Sequence, residues 1–235
     1  MIVPRTAALG AAALSIGFMS SAADANGRGG SLKDGPVVEY ARPFSWTGFY
    51  VGLHVGYGWN DQDWQFVPGA TSTDQDGDGF FGGGQIGYNW QTGSIVFGIE
   101  ADAAWAAIEG DKTCPNPAFS CQHDVNWMAS IRGRLGTTAF NPMTLLYATA
   151  GWGWADINYD TISAGVDGAF SKTHSGFVVG GGVEHAVSVN TTIKFEYLAY
   201  LLDDVTAPPG TLSGAFAADL EPTLHTVKLG VNFKF

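Results

Sequence analysis

The sequence predicts an all-β fold, an eight-stranded antiparallel up-and-down transmembrane β-barrel. Apolar residues recur at every second position in eight segments of roughly ten residues, and the connections between the segments alternate between short and long. Glycine is abundant, with 33 residues in 235, and aromatic residues make up 13% of the chain while charged residues make up only 14%. Strands that cross a membrane alternate apolar and polar residues, so a mean hydropathy of only +0.06 is compatible with this fold.

The first 25 residues are predicted to be a secretory signal peptide. Arg5 supplies the positive charge, residues 7–18 are apolar, and Ala23-Asp24-Ala25 has the small residues of a cleavage site. The apolar run is shorter than the ~20 residues of a spanning helix, which disfavours a membrane anchor. Residues 26–43 contain Gly and Pro without periodicity and are predicted to be a flexible periplasmic lead-in, so the barrel domain is residues 44–235.

Each predicted strand has one apolar face and one face of glycine, polar or charged residues. In the last strand, for example, Val227 and Leu229 alternate with Thr226 and Lys228. A period of two places such neighbours on opposite faces of a strand, here towards lipid and towards the lumen. The strands are predicted at residues 49–59, 80–90, 95–105, 125–136, 145–156, 175–185, 192–201 and 224–235.

The connections predict the orientation of the barrel. Residues 91–94, 137–143 and 186–191 are short turns. The others are polar and rich in Gly, Asp and Pro, and are predicted to be long external loops: residues 60–79, 106–124, 157–174 and 202–223. Outer-membrane barrels have short periplasmic turns and long extracellular loops, so both termini are predicted to be periplasmic.

Charged side chains fall on the inward face of the strands, the reverse of a soluble lipocalin-type barrel. Four are acidic and four basic: Glu100, Asp102, Glu184, Glu196, Arg132, Arg134, Lys194 and Lys228. Unpaired buried charges are costly, and eight strands leave an interior just wide enough for side chains to fill. We therefore expect a structural ion-pair network, with an ion pathway as the alternative. Residues 100–102 and 132–134 lie on neighbouring strands, so Arg132 and Arg134 are expected to pair among the four acids.

Cys114 and Cys121 lie in one Pro-containing segment of the second long connection. An exported protein folds in an oxidising compartment, so a local disulfide is predicted. The alternative is a metal or redox pair, which the absence of any further Cys or of a paired His nearby in the sequence disfavours.

Three further patterns resemble functional motifs. Asp74–Gly79 matches half of an EF-hand loop, but position 12 is Gln85, which leaves a weak divalent-cation site or a solvated turn. The glycines of residues 82–87 fit G-x-G-x-x-G, yet the segment continues as a strand and not as a helix. His123 and His174 form no recognisable nucleophile–base set, and His54 is placed in the lumen. No catalytic residue, cofactor or metal is predicted, and the net charge of −11 argues against nucleic acid as a partner.

Several segments resemble small outer-membrane surface antigens of Gram-negative bacteria, the OmpA-like or OmpX-like eight-stranded barrel group of porin-family proteins. They are Phe44-Ser45-Trp46-Thr47-Gly48-Phe49-Tyr50-Val51-Gly52, Gly182-Val183-Glu184-His185, Lys194-Phe195-Glu196-Tyr197 and residues 227–235. The resemblance covers residues 44–235 and implies location in the outer membrane. It also implies that Phe235, with Phe233 and Val231, is read by the outer-membrane insertion machinery. Leu198 stands where such proteins often have Arg, so lumen details are not carried over.

Three functions follow as hypotheses. The first is an envelope-stabilising protein, embedded among lipopolysaccharide, whose external loops interact with a host or small-molecule partner. The second is a narrow porin-like channel. The third, which the resemblance to immunogenic and hemin-binding proteins suggests, is a receptor for a ligand such as hemin. An enzyme is not expected.

Overall fold

A computed structural model describes residues 44–67, 71–113, 119–163, 168–207 and 217–235. They form one antiparallel sheet in which successive long strands pair and the first strand also pairs with the last, which closes the ring. The strands are β1 (Gly48–Val67), β2 (Thr71–Thr92), β3 (Ile95–Thr113), β4 (Phe119–Asn141), β5 (Thr144–Ser163), β6 (Gly168–Ala186), β7 (Thr191–Leu202), β8 (Val205–Ala207) and β9 (Ala217–Lys234).

Eight long strands form the ring, so the predicted eight-stranded up-and-down barrel is confirmed. The additional strand, β8, has three residues and pairs with Ala218, Asp219 and Leu220 of β9. It continues the line of β7 along β9 after an interruption at Asp203 and Asp204. Among the described residues, no helix has the length and apolar character needed to cross a membrane.

The segments predicted to be long external loops are strand for most of their described length. β1 pairs with β2 as far as Phe66 and Thr71, and β3 pairs with β4 as far as Thr113 and Ser120. The segment Asp74–Gly79 is therefore extended strand and neither a calcium loop nor a turn. In each hairpin the backbone ladder persists beyond the lipid-facing residues, although Gly and Asp give these segments the composition typical of loops.

The two ends of the ring differ. The turn end carries the C-terminus, residues 44–47 and the connections at residues 93–94, 142–143 and 187–190, whereas the hairpin end carries the extended ladders. The β3–β4 and β4–β5 ladders shift register between Trp105 and Ile108 and between Val125 and Trp127. Such bulges increase local twist, here just beyond the outward tryptophans Trp105 and Trp127.

The alternation predicted from the sequence is present on all eight long strands. Large apolar side chains are exposed on the outside, among them Leu53, Phe80, Ile131 and Leu229. Strand β5, which has aromatic residues at both kinds of position, exposes Trp152 and buries Tyr147.

The interior changes character along the barrel. On β3 the buried sequence runs from Val96 through Glu100 and Asp102 to Ala104 and Ile108. The charged layer therefore lies between two apolar clusters. The turn-end cluster contains Trp46, Val96, Leu145 and Tyr147, and the larger hairpin-end cluster includes Phe81, Met128, Ile157, Leu198 and Tyr200.

Candidate functional site: the ion-pair layer in the lumen

All eight charged residues singled out in the sequence are buried inside the ring. They come from β3, β4, β6, β7 and β9, because inward positions recur at every second residue of each strand. The four acids and four bases balance formally. Because burial of an unpaired charge is costly, the positions of their charged atoms decide whether the layer is stable.

Arg132 is at the centre of the layer and contacts three carboxylates. Its Nη2 atom lies 2.8 Å from Glu100 Oε1 and 2.6 Å from Asp102 Oδ2, and its Nη1 atom lies 3.2 Å from Glu196 Oε2. Nε donates to Ser130 Oγ at 2.8 Å. A guanidinium carries donors in a rigid planar fork, which suits contact with several carboxylates at once.

Glu100 is the acidic counterpart of this centre. The Lys194 ammonium donates to both of its carboxylate oxygens, at 2.7 and 2.8 Å, and Tyr50 OH donates to Oε2 at 2.8 Å. Arg134 Nη1 lies 3.5 Å from the same oxygen. Lys194 belongs to β7 and Glu100 to β3, so this pair spans the lumen and links strands that are not neighbours in the sheet.

The remaining charges complete two branches. Lys228 Nζ lies 2.5 Å from Asp102 Oδ2 and 3.0 Å from Glu196 Oε2. Towards the turn end, Arg134 Nη2 lies 2.6 Å from Glu184 Oε2, and the Arg134 guanidinium lies 4.0 Å from the ring centre of Tyr147. The structure thus brings all eight residues into one connected set.

Three of the acids are close enough to hold a cation. Carboxylate oxygens of Glu100, Asp102 and Glu196 lie within 4.8 Å of one another. The Arg132 guanidinium forms ion pairs with all three and supplies the positive charge that a metal ion would bring. The arrangement is that of an internal ion-pair cluster.

The layer also contains neutral side chains that were not among the predicted site residues, because they carry no formal charge. Tyr147 OH donates to Glu196 Oε1 at 2.8 Å. Thr192 and Asn232 donate to Glu184 Oε1 at 2.5 and 2.8 Å. The signal that locates them is their inward position in the two-residue period, combined with a hydroxyl or amide group.

The histidines with catalytic potential in the sequence are held by hydrogen bonds within the fold. His174 accepts a hydrogen bond from Tyr159 OH at 2.9 Å through Nε2, and its Nδ1 atom lies 3.2 Å from the carbonyl oxygen of Asp203. Burial lowers the pKa of His174, which favours the neutral ring that these two bonds require. His123 is buried beside Asn60, and His54 is buried beside Gln85 on the inward face.

Two other predictions concern the chain outside this layer. Cys114 lies outside the described residues, as does the side chain of Cys121, so their disulfide stays a prediction. Phe235, Phe233 and Val231 are exposed on the outer face at the turn end. Their reading by the insertion machinery also stays a prediction.

Comparison with known proteins gives a consistent result. The outer membrane protein beta-barrel domain family matches residues 9–235. A 31 kDa outer-membrane immunogenic protein of Brucella melitensis is 30% identical over 218 residues, which cover 85% of this chain and 88% of that protein. A 22 kDa outer membrane protein of Rhizobium leguminosarum is 34% identical over 195 residues, covering 81% and 79%. The outer membrane protein OprG of Pseudomonas aeruginosa has a similar fold, with a TM-score of 0.53 and 11% identity over 82% of this chain and 99% of that one.

Proposed function

This chain belongs to the outer membrane protein beta-barrel domain family and is an outer-membrane protein, and from that premise we propose that it is a non-conducting surface protein. In this proposal the barrel anchors extended hairpins outside the cell and contributes to the integrity of the envelope. The turn end faces the periplasm and the hairpin end faces outward, as in other barrels of this kind.

The observation that carries the proposal is the filled lumen. Arg132 and Lys194 have no solvent-exposed side-chain surface, and their carboxylate partners are at most 4% exposed. An ion crossing this layer would have to displace bonds that hold each charge in place, and then pass the apolar cluster around Tyr200 and Met128. Such a barrel supports anchoring better than permeation.

The hairpin end supports an interaction role. Its ladders carry acidic side chains at outward positions beyond the tryptophans, including Glu109, Asp124, Asp156 and Asp160. Burial and then the neighbouring carboxylates of Glu109 and Asp160 raise the pKa of Asp124, as expected where like charges are crowded. The relative from Brucella melitensis is named as immunogenic, which supports exposure of this end to the outside.

The histidine environments support a structural role over catalysis or hemin ligation. Each ring nitrogen of His174 faces a hydrogen-bonding partner, and His123 is buried in the lumen beside Asn60. Neither imidazole is presented at the surface, where a flat iron-bearing ligand would bind. The proposal therefore includes no catalytic residue and no resident cofactor.

Conductance tests the closed lumen. The refolded barrel is expected to give no stepwise current in planar lipid bilayers, because the buried ion-pair layer and the apolar cluster beyond it occupy the lumen. A known porin, refolded in the same detergent, serves as the positive control. Stepwise currents that rise with salt concentration in the wild-type protein would contradict the proposal and favour the channel.

Surface labelling tests the orientation. Lys172 is exposed on β6 at the hairpin end, whereas Lys194 and Lys228 are buried in the lumen. A membrane-impermeant amine reagent applied to intact cells is expected to modify Lys172 and to leave both lumen lysines unmodified. The variant Lys172→Arg should lose that modified peptide. Modification of Lys172 only after cell lysis would show that the hairpin end is not outside.

A further inference from the structure

The segment before β1, residues 44–47, lies across the mouth of the barrel at the turn end. Trp46 is fully buried there and packs with Val96, Leu145 and Tyr147. The ring of Phe44 meets that of Trp46 edge-on, with the ring centres 5.0 Å apart. An indole is among the largest apolar groups a protein can bury, so one side chain covers much of a narrow opening.

Three separate parts of the rim hold this segment. The backbone N–H of Trp46 donates to Gln91 Oε1 at 2.9 Å, and its indole N–H donates to the carbonyl oxygen of Pro142 at 3.0 Å. Lys234 Nζ donates to the carbonyl oxygen of Ser45 and lies 4.7 Å from the ring centre of Phe44. Gln91 lies at the end of β2, Pro142 follows β4 and Lys234 ends β9, so the segment bridges the opening.

Gly48 is the point at which the chain leaves the mouth and enters the wall. Its φ of +140° lies in a region that side chains rarely adopt, and an added Cβ atom would stand 3.1 Å from the carbonyl oxygen of Phe235. Thr47 Oγ1 accepts a hydrogen bond from the backbone N–H of Gln91 at 2.9 Å, which fixes the residue before this turn. In this Trp-Thr-Gly sequence, Trp46 fills the opening, Thr47 is held by a hydrogen bond to the rim, and Gly48 makes the turn into β1.

We propose that residues 44–48 form a strap that seals the periplasmic mouth once the ring has closed. The strap needs Lys234 at its place beside β1, and that place exists only after β9 has paired with β1. Tyr147 packs in the Trp46 cluster and also lies against Arg134, so the strap directly covers the ion-pair layer. The inference deepens the proposed non-conducting function and rests on it for the identity of the periplasmic side.

Access to Val96 tests the strap. Val96 is buried beneath Trp46, and cysteine is close to valine in size. In a full-length variant with Cys114→Ser and Cys121→Ser, a Val96→Cys thiol is labelled with a charged, water-soluble maleimide in detergent micelles. Adding Trp46→Ala is expected to raise the labelling rate by about tenfold or more, because the thiol then no longer depends on local opening. Trp90→Ala, which removes a lipid-facing tryptophan near the same end, should leave the rate unchanged.

The labelling rates decide whether the strap seals the mouth. Equal labelling with and without Trp46, in samples that keep the folded mobility on unheated gels, overturns the strap. If Trp46→Ala does not fold, Gln91→Ala removes one rim contact instead, and faster labelling supports the strap while an unchanged rate overturns it. Neither result decides conductance, because the ion-pair layer lies deeper in the lumen, so failure of the strap and failure of the non-conducting proposal can be told apart.

Discussion

Replacing Arg132 with methionine is expected to destabilise the folded barrel by about 3–5 kcal/mol, the usual cost of removing one partner from a buried ion pair. Methionine retains much of the side-chain volume but leaves the facing carboxylates of Glu100, Asp102 and Glu196 without their shared cation. Urea unfolding of the refolded protein, followed by tryptophan fluorescence, measures the change. Ile131→Met, at the lipid-facing neighbour on the same strand, is the matched control and should have a much smaller effect.

A double-mutant cycle with Glu100→Gln shows whether the two residues interact. Glu100 and Arg132 are directly opposed in the β3–β4 ladder and their charged atoms are 2.8 Å apart. The double variant removes one positive and one negative charge, so its loss of stability should fall short of the sum of the single losses by about 1 kcal/mol or more. If the stability losses of the two single variants simply add in the double variant, the Glu100–Arg132 contact contributes nothing to stability. Single variants of normal stability that conduct ions would favour a channel.

Gly83→Ala is expected to cost about 1–3 kcal/mol or more, the range typical of overpacking. Gly83 lies on β2 between His54 and Ala104, and an added Cβ atom would overlap the backbone carbonyl of Ala103 on β3. Backbone atoms of a closed ring cannot move aside without disturbing the ladder. The same urea titration measures the loss of stability.

Gly84→Ala provides the comparison, because it makes the same chemical change one residue along the strand. A Cβ atom there would be 3.4 Å from the nearest atom, the carbonyl oxygen of Gly52, which is ordinary contact. The variant should be close to the wild type in stability. Equal destabilisation by both substitutions would indicate that alanine acts through strand propensity, and the steric explanation would then be wrong.

The sequence was informative where short-range periodicity decides the structure. Alternation located the strands and the face of each residue, and neighbouring strands in an up-and-down ring put Glu100 opposite Arg132. Contacts across the lumen, such as Lys194 with Glu100, depend on the stagger of the whole ring, which no local pattern encodes.

Neither the hairpin extensions nor the strap was predicted from the sequence, and the reason differs between the two. The extensions contain the glycine and aspartate typical of loops, yet they bury Ile108 and Ile157, whose apolar character was the available signal. Trp46 lies outside any alternating segment, so its position in the mouth depends on tertiary contacts with Gln91 and Pro142.

The pairing of the first strand with the last has a kinetic consequence. Tyr50 meets Lys234 in the ladder, so the contacts that close the ring join the two extremes of the barrel sequence. Folds rich in such distant contacts have a high contact order and form slowly, because loop-closure entropy must be overcome before the contacts form. Until that step, β1 and β9 each present an unpaired edge that can capture another chain. The interval before closure is therefore the period in which this protein is most prone to aggregate.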